Sequence, residues 1–262
     1  MITLMTDFGT KDGNVGVMKG VILRIAPEVQ IVDLSHNISP QDVTEAGLVL
    51  ARAMPYFEPG TIHVVVVDPG VGTSRRPFAA RIGPQFIVGP DNGFITLVLK
   101  NAKARGEVVE FVHLDRAEYW LKKISDVFHG RDIFAPAAAH LAADASLHDL
   151  GTPFDNPVLL SLSEPTRTTS GWRGEVIHID HFGNISTNIR EEHLGWPHQA
   201  SVRIGETEVE GLVRTFGERA PGELVVLYGS TGSLLVCQVN GSAASRLGVK
   251  VGDPCEVIVH SG

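Results

Sequence analysis

Residues 61–76, TIHVVVVDPGVGTSRR, decide the fold of this chain. The β-branched run has no polar alternation, which is typical of a strand buried on both faces in the interior of a parallel sheet. Asp68 follows the carboxyl end of that strand, and in open α/β sheets this edge is where ligands bind. The glycines that come next allow backbone to approach a ligand closely, and Arg75 and Arg76 are placed within reach of the same crevice. Each residue taken alone is equally compatible with an ordinary strand, turn and solvated basic pair.

The chain before this strand is predicted to form a strand–helix–strand unit. A strand is predicted at residues 2–5, a helix follows at helical apolar spacing, and a second strand is predicted at residues 30–34. Asp7 and Asp12 lie in the first strand-to-helix loop, where α/β proteins hold ligand hydroxyls or phosphates. The glycines there do not have GxGxxG spacing, so the loop is not a dinucleotide fingerprint.

Downstream of the arginines, the alternation of strands and helices continues as far as His129. Strands are predicted at residues 78–82, 86–88 and 108–112, and an alanine-rich helix opens after His129. A histidine just ahead of a helix N-terminus is held toward its neutral form, which suits a proton acceptor or a hydrogen-bond partner. Because the chain has 11 histidines, position alone does not select this one.

The composition changes after residue 151. Residues 151–171 are rich in Pro, Ser and Thr, which predicts a linker between an N-terminal α/β domain at residues 1–163 and a C-terminal domain at residues 171–262. Short strands separated by turns make the second domain a small β-barrel or sandwich. These strands are predicted at residues 174–179, 200–204, 223–227, 234–238 and 255–259. Polar residues follow three of them: Asp180, Asn184, Ser230 and Asn240.

Charge and cysteine usage exclude several classes of protein. The net charge of -8 comes without a basic stripe, which argues against a nucleic-acid partner. There is no signal-peptide pattern and no apolar run long enough to cross a bilayer, so we expect a cytoplasmic protein without a membrane partner. Cys237 and Cys255 lack CxxC spacing and nearby His ligands, and are expected to be reduced structural thiols.

Five motifs, in this order along essentially the whole chain, together resemble the S-adenosyl-L-methionine hydroxide adenosyltransferases, relatives of fluorinase and chlorinase. They are Asp7-Phe-Gly-Thr, Val-Asp68-Pro-Gly-Val-Gly-Thr, Pro90-Asp-Asn-Gly93, Phe-His129-Gly-Arg-Asp132 and Ile-Asp180-His-Phe-Gly-Asn184. The resemblance implies an N-terminal Rossmann-like α/β sheet domain, a C-terminal β-barrel, and a homotrimer with sites between subunits. It also implies that water or hydroxide attacks the ribose 5′ carbon of S-adenosyl-L-methionine and releases adenosine and L-methionine.

The same resemblance implies a role for each matched residue. Asp68, Arg75 and His129 match the hydrolytic trio, and Arg75 is chosen over Arg76 by its distance from Asp68 in the family pattern. The substrate contacts match Asp7 and Asp12 for the ribose hydroxyls, Asp180, Asn184 and Ser230 for the methionine or ribose side, and Asn240 for adenine. A thioether leaves a sulfonium without needing a proton, so the chemistry requires neither a metal nor a redox cofactor. Which of Asp68 and His129 is the base stays open.

Three other functions remain compatible with these residues. A halide could replace water as the nucleophile, since Gly130 stands where the fluorinase has serine and the chlorinase has glycine. Asp68 argues against a halogenase. The halogenases carry a tyrosine at that position, and a carboxylate repels an anion. Asp7, Asp12, Asp68 and His129 could instead be the metal ligands of a phosphohydrolase. The chain could also bind S-adenosyl-L-methionine or adenosine without turning it over.

Overall fold

A mixed sheet organises the N-terminal part of the chain. The computed structural model describes residues 1–195 and 200–259 and divides into two compact units, Met1–Leu160 and Ser161–Gly262. The strands of the first unit are β1 (Ile2–Thr6), β2 (Ile31–Ser35), β3 (Ile62–Val66), β4 (Pro77–Ile82), β5 (Gln85–Pro90), β6 (Val109–Leu114) and β7 (Gly151–Phe154). They lie in the order β2-β1-β3-β5-β4-β6-β7.

The strand β3 lies inside the parallel part of this sheet, as its sequence predicts. It pairs in parallel with β1 on one side and with β5 on the other, and all of its residues are buried. The remaining neighbours, β4, β6 and β7, pair antiparallel. β7 lies within the predicted N-terminal domain, at the start of its Pro-, Ser- and Thr-rich end, and was not predicted as a strand. A four-residue edge strand with a proline has too little periodicity to be recognised.

Helices cover both faces of the first sheet. They are α1 (Asn14–Ile25), α2 (Val43–Ala53), α3 (Thr96–Ala104), a π-helix (Gly130–Phe134) and α4 (Ala135–Ala142), with short 3₁₀ turns at Met54–Tyr56, Ala117–Tyr119 and Leu147–Leu150. α1 and α4 pack in one apolar cluster and α2 and α3 in another. Alternate residues of β3 enter the two clusters, since successive side chains of a strand point to opposite faces. This arrangement is the expected α/β architecture.

His63, in the middle of β3, predicts that the fold is sensitive to acid. Its ring is buried, Nδ1 lies 2.8 Å from Thr3 Oγ1, and burial lowers its pKa from 6.5 to about 4. The unfolded chain therefore binds this proton more readily than the folded chain. We expect the free energy of unfolding to fall as the pH drops from 6.5 toward 4, by on the order of 2 to 3 kcal/mol.

Urea unfolding across this pH range measures the effect, with His63→Gln as the comparison. The variant removes the titrating group, so its unfolding free energy should depend less on pH than that of the native chain. An unchanged pH dependence in His63→Gln would assign the acid sensitivity to other groups.

The second unit is an antiparallel, barrel-like sheet. Its strands are β8 (Thr166–Arg167), β9 (Gly171–Ile179), β10 (Ile185–Arg190), β11 (Ala200–Ile204), β12 (Thr207–Glu210), β13 (Leu224–Tyr228), β14 (Ser233–Gln238) and β15 (Pro254–Val259), and its helices are α5 (Glu191–Leu194) and α6 (Ala243–Leu247), with a 3₁₀ turn at Phe216–Glu218. The order is β12-β11-β15-β9-β10-β14-β13, with β8 on β9. The chain after β12 reaches β13, where Val213 N donates to Val226 O at 2.9 Å. This contact brings the two ends of the sheet together and confirms the predicted barrel.

Three strands of the second unit, β8, β10 and β12, have no counterpart among the strands predicted from sequence. β8 is only two residues long, and polar residues interrupt β10 and β12, so none of the three shows a continuous apolar face. α6 is likewise too short to show helical periodicity. Among residues 1–195 and 200–259, every helix falls short of the length and apolar character that a membrane crossing requires.

Candidate active site

Asp68, Arg75 and His129 form one connected group at the carboxyl end of β3. Arg75 Nε lies 2.9 Å from Asp68 Oδ1 and 3.1 Å from Oδ2, and Arg75 Nη2 also donates to Asp68 Oδ2. The same Nη2 lies 2.8 Å from His129 Nδ1. The guanidinium rests over the ring of Phe134, 5.2 Å from its centroid. Arg75 and Asp68 are 9% and 6% exposed, so this ion pair is largely removed from water.

The glycine-rich loop after β3 turns Arg75 back toward Asp68. Val71 N donates to Asp68 O at 3.2 Å, and Thr73 N donates to Gly70 O at 3.1 Å. Gly72 has a φ of 75°, and a Cβ at this position would lie 2.4 Å from the carbonyl oxygen of Asp126. Only glycine fits, because its backbone conformation and its contact with the opposite segment both exclude a side chain.

The neighbouring arginine, Arg76, belongs to a different ion pair. Its Nη2 lies 3.0 Å from Asp91 Oδ2 and 2.9 Å from the carbonyl oxygen of Asn156, and its guanidinium stacks 4.0 Å from the centroid of Phe154. Asp91 also accepts from the backbone of Val158 at 2.7 Å. Arg76 therefore anchors the end of the first unit, and Arg75 is the arginine that contacts Asp68 and His129.

The contact with Arg75 determines which nitrogen of His129 carries the proton. A guanidinium has only donors, so Nδ1 of His129 accepts, and the neutral ring carries its hydrogen on Nε2. Burial and the charge of Arg75 lower the pKa of His129, while Asp68, Asp132 and Asp126 oppose that shift. His129 can thus donate from Nε2, whereas protonation at Nδ1 would break its bond to Arg75.

The two aspartates of the first strand-to-helix loop have different surroundings. Asp7 Oδ2 accepts from the backbone N–H of Gln41 at 2.8 Å, and Gln41 has a φ of 65°. Asp12 is exposed, and within the described parts of the chain its carboxylate has no hydrogen-bond partner. Next to Asp7, the ring of Phe8 meets that of Phe128 edge-on at 5.7 Å, so this loop adjoins the segment that carries His129.

The four residues expected in the second unit line one cavity there, of about 870 Å³. Asp180 organises the turn: its Oδ1 accepts from the backbone N–H groups of Phe182 and Asn184, both at 2.9 Å, and its Oδ2 accepts from the Asn184 amide at 2.8 Å. Ser230 and Asn240 lie on the same lining. A volume of this size accommodates a nucleoside-sized ligand.

Several lining residues were not singled out from the sequence. They are Phe182, Arg214, Thr215, Phe216, Leu227, Tyr228, Gly229, Leu235, Gln238 and Gly241. Phe182 lies inside the Asp180 motif, where an aromatic residue in a glycine-containing turn directly after a strand is a sequence signal that could have been used; the structure shows its ring exposed. Arg214 and Phe216 follow no recognisable pattern, so only the fold brings them to the cavity.

Metal-binding and cysteine chemistry have little support in this arrangement. Within residues 1–195 and 200–259, no group of three or more His, Cys, Asp or Glu side chains is placed to hold a metal ion. The ligand set considered for a phosphohydrolase therefore does not assemble, and Asp68 is paired with a cation, Arg75. Cys237 and Cys255 are free and buried, and burial raises the pKa of both thiols to about 12, which makes them unreactive.

Comparisons with known proteins agree over nearly the whole chain. Residues 2–151 match the SAM hydroxide adenosyltransferase N-terminal domain, and residues 174–256 match the C-terminal domain of the same name. An (R)-S-adenosyl-L-methionine hydrolase of Salinispora tropica is 42% identical over 98% of this chain and 97% of its own length. A fluorinase of an Actinoplanes species is 28% identical, over 96% and 95%. The crystal structure of an uncharacterized conserved protein from Thermotoga maritima superposes with a TM-score of 0.92 at 37% identity, covering 99% of this chain and 100% of that one.

Proposed function

This chain belongs to the S-adenosyl-L-methionine hydroxide adenosyltransferase family, and we propose that it hydrolyses S-adenosyl-L-methionine to adenosine and L-methionine. The observation that carries the proposal is the hydrogen-bonded group of Asp68, Arg75 and His129. It combines an acceptor, a fixed cation and a donor at the ligand-binding edge of a parallel sheet. Such a group can hold one water molecule in place and take its proton.

The chemistry places all catalytic help on the attacking water. Its oxygen forms a bond to the ribose 5′ carbon while the bond from that carbon to sulfur breaks, and the electron pair leaves on sulfur as a neutral thioether. The new oxygen then loses a proton and becomes the 5′-hydroxyl of adenosine. Because the leaving group needs no proton, an acid beside the sulfur would add nothing.

The contacts of the three side chains support the following division of this work. Asp68 accepts the proton of the water, since its carboxylate oxygens retain acceptor capacity beyond their bonds to Arg75. His129 donates from Nε2 to the water oxygen and fixes its direction of attack. Arg75 holds both partners and keeps a positive charge beside the site at any relevant pH. In a site without bulk water these charges act more strongly than they would in solution.

Product analysis tests the proposal directly. Purified protein is incubated with the (R) and (S) sulfonium epimers of S-adenosyl-L-methionine, with and without chloride, and the products are identified by mass. We expect adenosine and methionine in both buffers, and preferential use of the (R) epimer named for the relative. A 5′-chlorinated nucleoside as the main product would identify a halogenase. Loss of activity in EDTA would restore the metal-dependent alternative, and an absence of turnover would leave a binding protein.

His129 provides a test of the division of roles. We expect His129→Ala to lower kcat by about 10- to 100-fold, and His129→Gln to recover part of the loss because its amide can still donate to water. Burial and the charge of Arg75 lower the pKa of His129, so the loss of kcat caused by its protonation should occur at a lower pH than for an ordinary histidine. If His129→Gln is no better than His129→Ala, the donor role assigned to His129 is wrong.

The substrate contacts are proposed for the remaining predicted residues. Asp12 and Asp7 would bind the ribose hydroxyls, with Asp12 contributing more because one oxygen of Asp7 already accepts from Gln41. Asp180, Asn184 and Ser230 would bind the methionine or ribose side, and Asn240 would bind adenine. The size and the polar lining of their shared cavity support this assignment.

Asp12→Ala should weaken binding rather than turnover. The variant leaves ribose hydroxyls without a partner, so we expect S-adenosyl-L-methionine and adenosine to bind more weakly by about 1 to 3 kcal/mol, measured by calorimetry. Asp155→Ala, which removes another exposed carboxylate of the same unit, is the matched control and should leave affinity unchanged. Native affinity in Asp12→Ala would remove Asp12 from the binding site.

We also propose that the protein is a homotrimer whose sites are shared between subunits. It rests on the family resemblance alone, and the native mass of the purified protein tests the number of subunits.

A further inference from the structure

Asp132 is a buried carboxylate beside the trio that the proposed mechanism does not use. Its side chain is 1% exposed. Arg131 Nε donates to its Oδ1 at 2.6 Å, Arg131 Nη2 donates to its Oδ2 at 3.0 Å, and the backbone N–H of Ser125 donates to the same Oδ2 at 2.8 Å. A carboxylate this deeply buried is retained only where such bonds satisfy it.

These bonds reach both ends of the segment just ahead of His129. At the start of the segment, the carboxylate holds the backbone of Ser125. At its end, the guanidinium of Arg131, held by the same carboxylate, lies 5.0 Å from the ring centroid of Phe128. Residues 125–128 are therefore fastened to the first turn of the π-helix, and His129 is the residue between them.

The opposite side of the same segment faces the loop that carries Asp68 and Arg75. The carbonyl oxygen of Asp126 approaches Gly72 so closely that a Cβ there would lie 2.4 Å away. The segment is thus enclosed between this loop and Asp132, and the Arg75–His129 contact of 2.8 Å is made across the junction. A displacement of the segment would change that contact before any other part of the trio.

We infer that Asp132 is a positioning residue, which holds residues 125–129 so that His129 Nδ1 meets Arg75 and Nε2–H faces the reacting water. The expected effect on kcat rests on the proposed hydrolysis, whereas the tautomer of the His129 imidazole can be measured without turnover. π-Helical turns are rare and occur frequently at functional sites, and here one begins at the residue after His129.

Asp132→Asn is the informative variant, because it keeps the shape of the side chain but places an amide N–H against one of its present donors. We expect kcat to fall by roughly 10- to 100-fold while KM stays within about twofold, since the geometry of water is altered and the substrate contacts are not. Nitrogen NMR of the histidine rings should show a single Nε2–H tautomer for native His129 and a mixture of tautomers in the variant.

Asp149→Asn is the matched control. Asp149 makes the same kind of contact, accepting from the backbone N–H of Ser146 at 3.0 Å, but in a 3₁₀ turn away from His129. We expect native kcat and a native tautomer from it. Native kcat in Asp132→Asn would overturn the inference, as would a lowered kcat with an unchanged His129 tautomer.

Two further results keep the test decisive. If Asp132→Asn does not fold, Ser125→Pro removes the N–H donor and leaves the carboxylate in place, and the same fall in kcat and change of tautomer are expected. Ser125→Ala, which removes only the hydroxyl that accepts from Val127 N at 3.3 Å, should keep native values. Native values in Ser125→Pro would overturn the inference. If the native protein releases no adenosine, the proposed function fails, whereas the tautomer comparison still decides the positioning role.

Discussion

Asp68→Asn should lower kcat by about two to four orders of magnitude, the scale expected when general-base help to water is lost. The amide has nearly the same shape as the carboxylate but cannot take a proton, and it places an N–H against Arg75, which is itself only a donor. Binding of S-adenosyl-L-methionine should change much less, because the residues proposed to bind the substrate do not include Asp68. Turnover at saturating substrate and calorimetric affinity distinguish the two effects.

The chain contains a matched control for this experiment in the neighbouring ion pair. Asp91 pairs with Arg76 as Asp68 pairs with Arg75, and it is also buried, with 1% of its side chain exposed. Asp91→Asn should unfold more easily, because it removes the carboxylate paired with Arg76 and leaves that arginine with its neutral contacts to Asn156 and Phe154, yet turn over normally per folded molecule. If Asp68→Asn turns over at the native rate when saturated, the mechanism proposed here is wrong even though the family stands.

Arg75→Ala should be nearly as damaging, with a fall in kcat of about two to three orders of magnitude. The guanidinium contacts Asp68 and His129 at once, so its removal frees both side chains from their present orientation. Arg75→Lys should restore only part of the rate, since an ammonium group cannot donate from a planar fork to two partners in different directions. Steady-state kinetics on the three proteins measures this series.

Arg76→Lys is the corresponding control. Arg76 binds Asp91 and Asn156 and does not contact the trio, so the variant should keep native kcat while losing some stability. If Arg76→Lys loses as much turnover as Arg75→Lys, the two ion pairs are not separable. Equal turnover in Arg75→Lys and the native chain would show that charge alone is sufficient at this position.

Local patterns in the sequence were sufficient for the architecture. A β-branched run without polar alternation predicts the interior parallel strand β3. A strand buried on both faces has no solvent-facing positions, so polar residues do not alternate along it. Short strands separated by turns likewise predicted a small barrel or sandwich in the second unit, and the family resemblance favoured the barrel. Where a strand is short, polar or at an edge, as in β7 and β10, neighbours distant in sequence supply its partners, and the local pattern is too weak to show them.

The candidate site could be predicted only in part from sequence patterns. The motifs identified Asp68, Arg75 and His129 as candidates, but Arg75 and Arg76 are adjacent and chemically equivalent in the sequence. The difference between them arises from the turn at Gly72, which directs one guanidinium to Asp68 and leaves the other beside Asp91. A sequence pattern carries residue types and spacings, whereas this choice depends on loop conformation.

Local sequence patterns thus predicted an α/β domain followed by a β-rich domain, and the family motifs supplied the residue types that the chemistry requires and favoured Arg75 over Arg76. The packing of the loops, which the sequence does not show, makes Arg75 contact both Asp68 and His129, makes His129 accept at Nδ1, and brings Asp132 to the backbone of Ser125. The reason is physical: hydrophobic periodicity is a local property of the chain, whereas a hydrogen bond between Arg75 and His129, 54 residues apart, depends on how separate loops pack against each other.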